Sequence, residues 1–199
     1  MQMDRSIFTL GGAAWINLVN TVNRYNKQKN DFLTDPALAS QWLEANQLLP
    51  SSAFPLEPSL LQALTAELAS LRELCQQIIS ELQSAGGDGQ LSEQVVAALR
   101  VRIGQLSISA SLIEEEGRIS IAYEGQSMTD RVMHRILHSV TDTLHKVSAD
   151  RIRKCEHEEC ILHFVDTSKS GKRRWCSMEL CGNRHKAAEF YAKKKQKHV

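Results

Sequence analysis

A chain of 199 residues, 42% hydrophobic and 24% charged, has the composition of a globular protein with room for one ordinary domain and a small appendage. No apolar run approaches the ~20 residues a membrane-spanning helix requires, so a membrane partner is not expected. The formal net charge of +1 hides a split: residues 1–150 carry 11 Lys/Arg against 17 Asp/Glu, net −6, and residues 151–199 carry 13 against 6, net +7. That asymmetry predicts an N-terminal part over 1–150 and a basic C-terminal module over 151–199 whose partner is an anion, nucleic acid above all.

In chain order, Trp15, Leu18, Val19 and Val22 recur at helical spacing beside a polar stripe of Asn17, Asn20 and Asn23. Asparagine is a poor helix-interior residue, so the stripe either ties the helix to nearby loops or lines a small polar pocket. Asp35-Pro36 starts a second helix, with proline where its missing N–H is not needed. The longest helix is predicted from about Ser59 to Leu82, with Ser59 and Gln62 as a capping box. Leu61, Leu64, Leu68, Leu71, Cys75, Ile78 and Leu82 form its heptad seam, compatible with a bundle core or a homodimer interface, and bundle packing is the simpler expectation for this length. Cys75 on that seam reads as a small buried hydrophobe.

Gly86-Gly87-Asp88-Gly89 breaks the chain, and Ser92 caps a helix to about Ile103. The period then switches to two. Leu106, Ile108, Ala110 and Leu112 alternate with serines, and Ile119, Ile121 and Tyr123 alternate after the Glu114–Gly117 turn, which predicts a hairpin with one wet face. Thr129 opens a last core helix with Val132, Ile136, Val140, Leu144 and Val147 facing inward.

Cys155 and Cys160, then Cys176 and Cys181, form two C-x4-C pairs with fifteen residues between them. Two close pairs joined by a short segment are the layout of a closed tetrahedral zinc site, each pair giving two thiolates. Met1 to Leu10 is polar, carries Asp4 and lacks the apolar core of a secretory signal, so a cytoplasmic setting and reduced thiols are expected rather than disulfides. Phe164-Val165-Asp166 and Arg174-Trp175-Cys176 read as two strands joined by a Thr167–Lys172 turn. Ser177 reads as the cap of a helix to about Lys195, packed through Leu180, Ala187 and Tyr191. The predicted fold class is α+β: a mainly helical N-terminal domain with a β-hairpin, plus a small treble-clef-like or ribbon-like zinc finger that needs its metal to fold.

Arg174-Trp175-Cys176-Ser177-Met178 followed by Cys181-Gly182-Asn183-Arg184 resembles the CGNR zinc finger, and Cys155, Cys160 and Phe164-Val165-Asp166-Thr167-Ser168 resemble its first half. Leu18-Val19-Asn20-Thr21 resembles the ABATE-type domain often fused to it, whose name is "putative stress-induced transcription regulator". Asn17 departs from that family's pattern, where an acidic residue is expected. The resemblance implies zinc and DNA binding and implies no reaction.

The leading functional expectation is a zinc-dependent DNA-binding transcriptional regulator, its N-terminal domain sensing an unnamed small molecule or dimerising. Cations cluster as Lys172-Arg173-Arg174, Arg184 with Lys186, and Lys193-Lys194-Lys195, where they could neutralise phosphates of double-stranded DNA. Arg184 could also read guanine. Asn183, next to a ligand, is a candidate to steady the metal site from behind its ligands. The alternative is a zinc-stabilised protein- or RNA-interaction module, and the few aromatics, Phe164, Trp175, Phe190 and Tyr191, are mostly expected in packed positions. An enzyme is not expected. His157, His163, His185 and Asn183 lie near the cysteines, yet four thiolates would close a zinc, and no phosphate loop, H-E-x-x-H or nucleophile elbow occurs.

Overall fold

The computed structural model describes residues 5–25, 28–84 and 89–196. Its first helix, α1 (Ala14–Val19), is one and a half turns long and is buried on nearly every side, with Trp15, Ile16 and Leu18 fully covered. The expected helical run through Val22 stops early. The chain turns at Asn20 and Thr21 into β1 (Val22–Tyr25), which pairs antiparallel with β2 (Gln28–Asp31). Arg72 clamps this turn, its guanidinium donating to both Asp31 carboxylate oxygens at 2.7 Å and to Thr21 Oγ1 at 2.7 Å. Burial works against ionisation of Asp31, but the hydrogen bonds from Arg72 and Leu33 N–H and the charges of Arg72 and Lys29 together outweigh it and hold the carboxyl below its ordinary range.

Helix α2 (Pro36–Ala45) begins where Asp35-Pro36 predicts, the Asp35 carboxylate accepting from the N–H groups of Ala37 and Leu38. Helix α3 (Pro58–Ser84) is the spine of the molecule. All seven seam positions from Leu61 to Leu82 are buried within the chain, joined by Leu74 and Ile79. Burial pushes the Cys75 thiol up to about 12, so it is an inert hydrophobe. The helix starts a residue earlier than expected, at Pro58, which places Ser59 inside the first turn and removes the proposed capping box.

The predicted break lies largely outside the described residues. Helix α4 (Glu93–Gly104) then follows, capped by Ser92. Strands β3 (Ile108–Glu115) and β4 (Arg118–Gly125) form the predicted hairpin, with Glu116 and Gly117 at positive φ in its turn. The alternation is as expected and the dry face is not. Leu112, Ile119, Ile121 and Tyr123 share one face by register, yet each is 59–69% exposed. Helix α5 (Met128–Lys146) carries a full capping box from Ser127 and Asp130 and buries Val132, Ile136 and Val140 against α1 and α3.

Beyond α5, strands β5 (Ile152–Lys154) and β6 (His163–Val165) pair antiparallel. The sequence pattern leads to pairing of 164–166 with 174–176 instead. The segment at Arg174–Cys176 touches the knuckle through a single backbone bond, Glu156 N–H to Arg174 O at 3.0 Å, and is not a strand. One buried hydrophobic cluster runs from Phe8 and Trp15 through α3 and α5 into Ile152, Phe164, Val165 and the cysteines. The division by charge is therefore not a division of the core.

The four-cysteine centre

The first cysteine pair sits in the loop of the β5–β6 hairpin. Cys155 N–H donates to Leu162 O at 2.9 Å and Cys160 N–H to His157 O at 2.8 Å, which curls the intervening residues into a knuckle. The second pair spans the start of a helix. Ser177 caps it, its hydroxyl accepting from Glu179 N–H and Leu180 N–H, and a single wide π-helical turn (Met178–Gly182) precedes α6 (Asn183–Gln196). That wide turn places Cys181 beside Cys176.

All four Sγ atoms lie within 4.8 Å of one another. Cys176 Sγ is 3.8 Å from Cys160 Sγ and 3.6 Å from Cys181 Sγ, and the Cys176 N–H points at Cys155 Sγ, 3.4 Å away. A tetrahedron with metal–sulfur bonds of 2.3 Å has edges of about 3.8 Å. A disulfide needs about 2.05 Å, so no pair is bonded. The thiols perturb one another in opposite directions. Hydrogen bonds from Cys160, Cys176 and Cys181 drive Cys155 down, while the same contacts, with Cys155 first, drive Cys176 up. The donor set thus fits a closed metal site, and no histidine belongs to it among the described residues. His157 Nδ1 accepts from Glu159 N–H, and His163 Nδ1 is buried without a partner, its imidazole held neutral by burial with a pKa lowered to about 4.

A frame of charged residues that the sequence reading missed supports this centre. Burial works against ionisation of Asp166, yet hydrogen bonds from Ser168 and from Arg173 N–H, with Arg151 nearby, lower its carboxyl to about 2. Arg151 donates to the carbonyls of Asp166 and Ser168, and Arg153 to those of Gly171 and Arg173, so these cations hold the 166–173 loop. Gly171, at φ +64°, lies against the Arg151 guanidinium, where a Cβ would come within 2.6 Å. The Asp166-x-Ser168 spacing of an Asx turn was the available signal. Gly182 packs between Met178 and Trp175, where a Cβ would sit 2.7 Å from Met178 Sδ and 3.1 Å from Trp175 Cδ1.

The expected contact residues fare differently. Arg173 belongs to the frame: it donates to Trp175 O at 2.8 Å and to Cys176 O, and its guanidinium lies 4.4 Å over the Phe164 ring. Its Nε and one terminal nitrogen are turned toward the carbonyls beside the ligand cysteines, unlike the outward cations of the same module. Arg174 is exposed but stacks on Trp175 and pairs with Glu156 at 2.6 Å. Lys172, Arg184, Lys186, Lys193 and Lys194 are exposed and carry no ion pair among the described residues. The Lys195 side chain lies outside the described part. Asn183 is exposed at the start of α6, and among the described residues its side chain makes no hydrogen bond to a ligand sulfur. Ala187 and Tyr191, expected to pack, are exposed, as is Phe190. Asn17 and Asn20 are tied rather than poised for a ligand: Asn17 accepts from Gly11 N–H and donates to Asn46.

A helical body joined to a small four-cysteine finger with a basic helix defines the class, a zinc-finger protein with a regulator-type domain. The CGNR zinc finger model matches residues 151–194, and the ABATE model, described as "Putative stress-induced transcription regulator", matches residues 12–145. The second match covers well over half of the chain, and the protein belongs to that family. A search of curated proteins found no match. Among the described residues no helix is long and apolar enough to cross a membrane.

Proposed function

We propose that the protein is a cytoplasmic, zinc-dependent, DNA-binding transcriptional regulator, with the finger contacting duplex DNA and the helical body sensing a ligand or dimerising. The observation that carries the reading is the set of exposed cations on one small module that have no ion pair among the described residues: Lys172 in the 166–173 loop, and Arg184, Lys186, Lys193 and Lys194 along α6. Zinc, bound by Cys155, Cys160, Cys176 and Cys181, would fix the angle between the knuckle and α6 and so the spacing of those charges. Four thiolates leave such a zinc a net charge of −2, and Arg173 at the Trp175 and Cys176 carbonyls offsets part of it. A zinc closed by four sulfurs offers no position to water, and we assign the site no reaction.

Titration of the zinc-loaded chain into labelled duplex DNA tests this. With four or five phosphates neutralised, the slope of log K against log[salt] should be roughly −4. No salt-sensitive affinity at low ionic strength would end the reading. A second reading has a specific observation behind it. Phe190 and Tyr191 stand 63% and 68% exposed on the basic helix, as stacking groups for single-stranded RNA would. Tighter binding to unpaired RNA than to duplex DNA in the same assay would favour it.

A further inference from the structure

Two elements project their apolar residues into solvent, and they carry opposite charge. The first is the β3–β4 hairpin. Its apolar face holds Leu112, Ile119, Ile121 and Tyr123, each more than half exposed, and its tip carries Glu114, Glu115 and Glu116. Strand β4 meets α5 through Glu124 and the buried Gly125, but the apolar face of the hairpin lacks the cover that stabilises small sheets. The exposed patch is roughly 500 Å², at the upper end of what a monomer leaves uncovered. The second element is α6. Ala187, Phe190, Tyr191 and Lys194 fall at i, i+3, i+4 and i+7, one stripe that would ordinarily face a core. From Asn183 to Lys194 no residue of α6 is buried, and its main packing partner is its own preceding turn.

We infer that the α6 stripe of one copy docks on the β3–β4 apolar face of a second copy, forming a reciprocal dimer. Charge complementarity selects this occupant. The hairpin tip has three glutamates, Glu114 to Glu116, against Arg118, while Glu124 at its base is already paired with Arg131 and Arg135; α6 has five Lys/Arg against Glu189. Dimensions agree: the stripe from Ala187 to Lys194 rises about 10 Å, and the face from Ile119 to Tyr123 runs about 13 Å. A hairpin meeting a second hairpin would instead bring two acidic tips together. Reciprocal docking about a twofold axis uses both surfaces twice and leaves neither exposed. Lys186, Lys193 and Lys194 are also among the cations assigned to duplex DNA above, so the two contacts compete for one face of α6, and the dimer is tested without nucleic acid.

The test is a charge swap in the full, zinc-loaded chain, read by sedimentation velocity at low salt without DNA. The wild type should dimerise, and 0.5 M salt should weaken the dimer at least tenfold. One variant carries E114K, E115K and E116K; the other carries Lys186→Glu, Lys193→Glu and Lys194→Glu. Each alone should be monomeric, and an equimolar mixture should recover the dimer, because both contacts of the mixed pair are again of opposite sign. All the substituted side chains are exposed, so circular dichroism should be unchanged. Each variant dimerising alone, a mixture that stays monomeric, or a wild type that is monomeric at every concentration would overturn the proposal. A dimer lost only on I121E and indifferent to charge would also overturn it, pointing to hairpin-on-hairpin association.

Discussion

Helices α3 and α6 are both rich in good helix formers, and both carry apolar residues at i, i+3 and i+4. Their fates diverge because of what surrounds them. Along α3 the seam is continuous over 27 residues, and α1, α2, α4 and α5 close over it, so nine side chains are buried. Along α6 the stripe is short, followed by lysines, and left exposed by the described residues. The body is thus held by apolar area, in the way helices of this length usually are. The module has a knuckle, a three-residue strand pair and a frame of arginine–carbonyl bonds, too little to hold an extended loop without a cross-link. Two kinds of cohesion meet at one interface, where Asn20 reaches across to β6.

The sharpest way to break this contrast is to take the metal. We expect one zinc per chain, with X-ray absorption showing four sulfurs near ~2.3 Å and no nitrogen. Apparent zinc affinities in such sites correspond to about 10–16 kcal/mol, so Cys176→Ser or chelation should unfold the module outright. Most of the helical circular dichroism should survive, since α3 and α5 do not touch the cysteines through their seams. The melting temperature of the remaining body should nevertheless fall, because Val165 and Phe164 leave a shared cluster. A body whose melting is untouched by chelation would show that the cluster is continuous without being cooperative.

The complementary test strikes the body. Leu68 is fully buried on the α3 seam, and Leu68→Ala should cost about 2–5 kcal/mol by denaturant unfolding. The matching truncation on α6, Tyr191→Ala, removes a larger side chain that is 68% exposed and should stay within about 0.5 kcal/mol for the isolated monomer. Equal costs at the two positions would show that α6 is packed after all.

Which features were legible in the sequence follows from the same contrast. The seam of α3, the Asp35-Pro36 and Ser92 helix starts and the Glu114–Gly117 turn of the hairpin are written in local patterns, because each is decided by period, capping or turn residues within a short stretch. The cysteine quartet was legible for a similar reason: two pairs at fixed spacing need only one fold-back to meet. The β5–β6 pairing was not legible, since Ile152-Arg153-Lys154 is too short to show alternation and its partner choice depends on the body beneath it. Nor was the role of Arg173, which lies in a basic triplet like any surface cluster. Only the arrival of the Phe164 ring and the Trp175 and Cys176 carbonyls turns it inward. The exposed hairpin face fails in the opposite sense: its alternation predicts a covered side, and the described residues leave that side uncovered.

The junction can be loosened without touching either side's core. The Asn20 amide donates to His163 O at 2.8 Å and accepts from His163 N–H at 2.9 Å, imitating a neighbouring strand along β6. Asn20→Ala strands both backbone groups in a nearly dry setting and should cost about 2 kcal/mol. For a protein of this size that lowers the melting temperature by about 4–8 °C. Asn20→Asp keeps the acceptor but sets a carboxylate oxygen against the His163 carbonyl in a buried position, so it should cost at least as much as Asn20→Ala. If the junction couples the two regions, Asn20→Ala should also speed zinc loss to a chelator several-fold, whereas Leu68→Ala at similar destabilisation should not.

The smallest effect separates the outward cations from the inward one. Arg184 is exposed at the start of α6 without an ion pair, so Arg184→Ala should leave melting and zinc retention unchanged. If it meets a phosphate in the proposed complex, its loss should reduce the salt slope by about 0.9 and weaken every duplex alike. If it reads guanine, the preferred sequence should change by about 1–3 kcal/mol of discrimination while the slope stays nearly constant. Arg173→Ala is the control with the opposite signature. It leaves the Trp175 and Cys176 carbonyls without their donor beside a ligand cysteine, so zinc should be released faster and the module should soften before DNA is ever added. A chain in which Arg173→Ala kept its zinc but lost DNA, while Arg184→Ala lost zinc, would exchange the two roles and place the contact surface on the Lys172 side of the module rather than along α6.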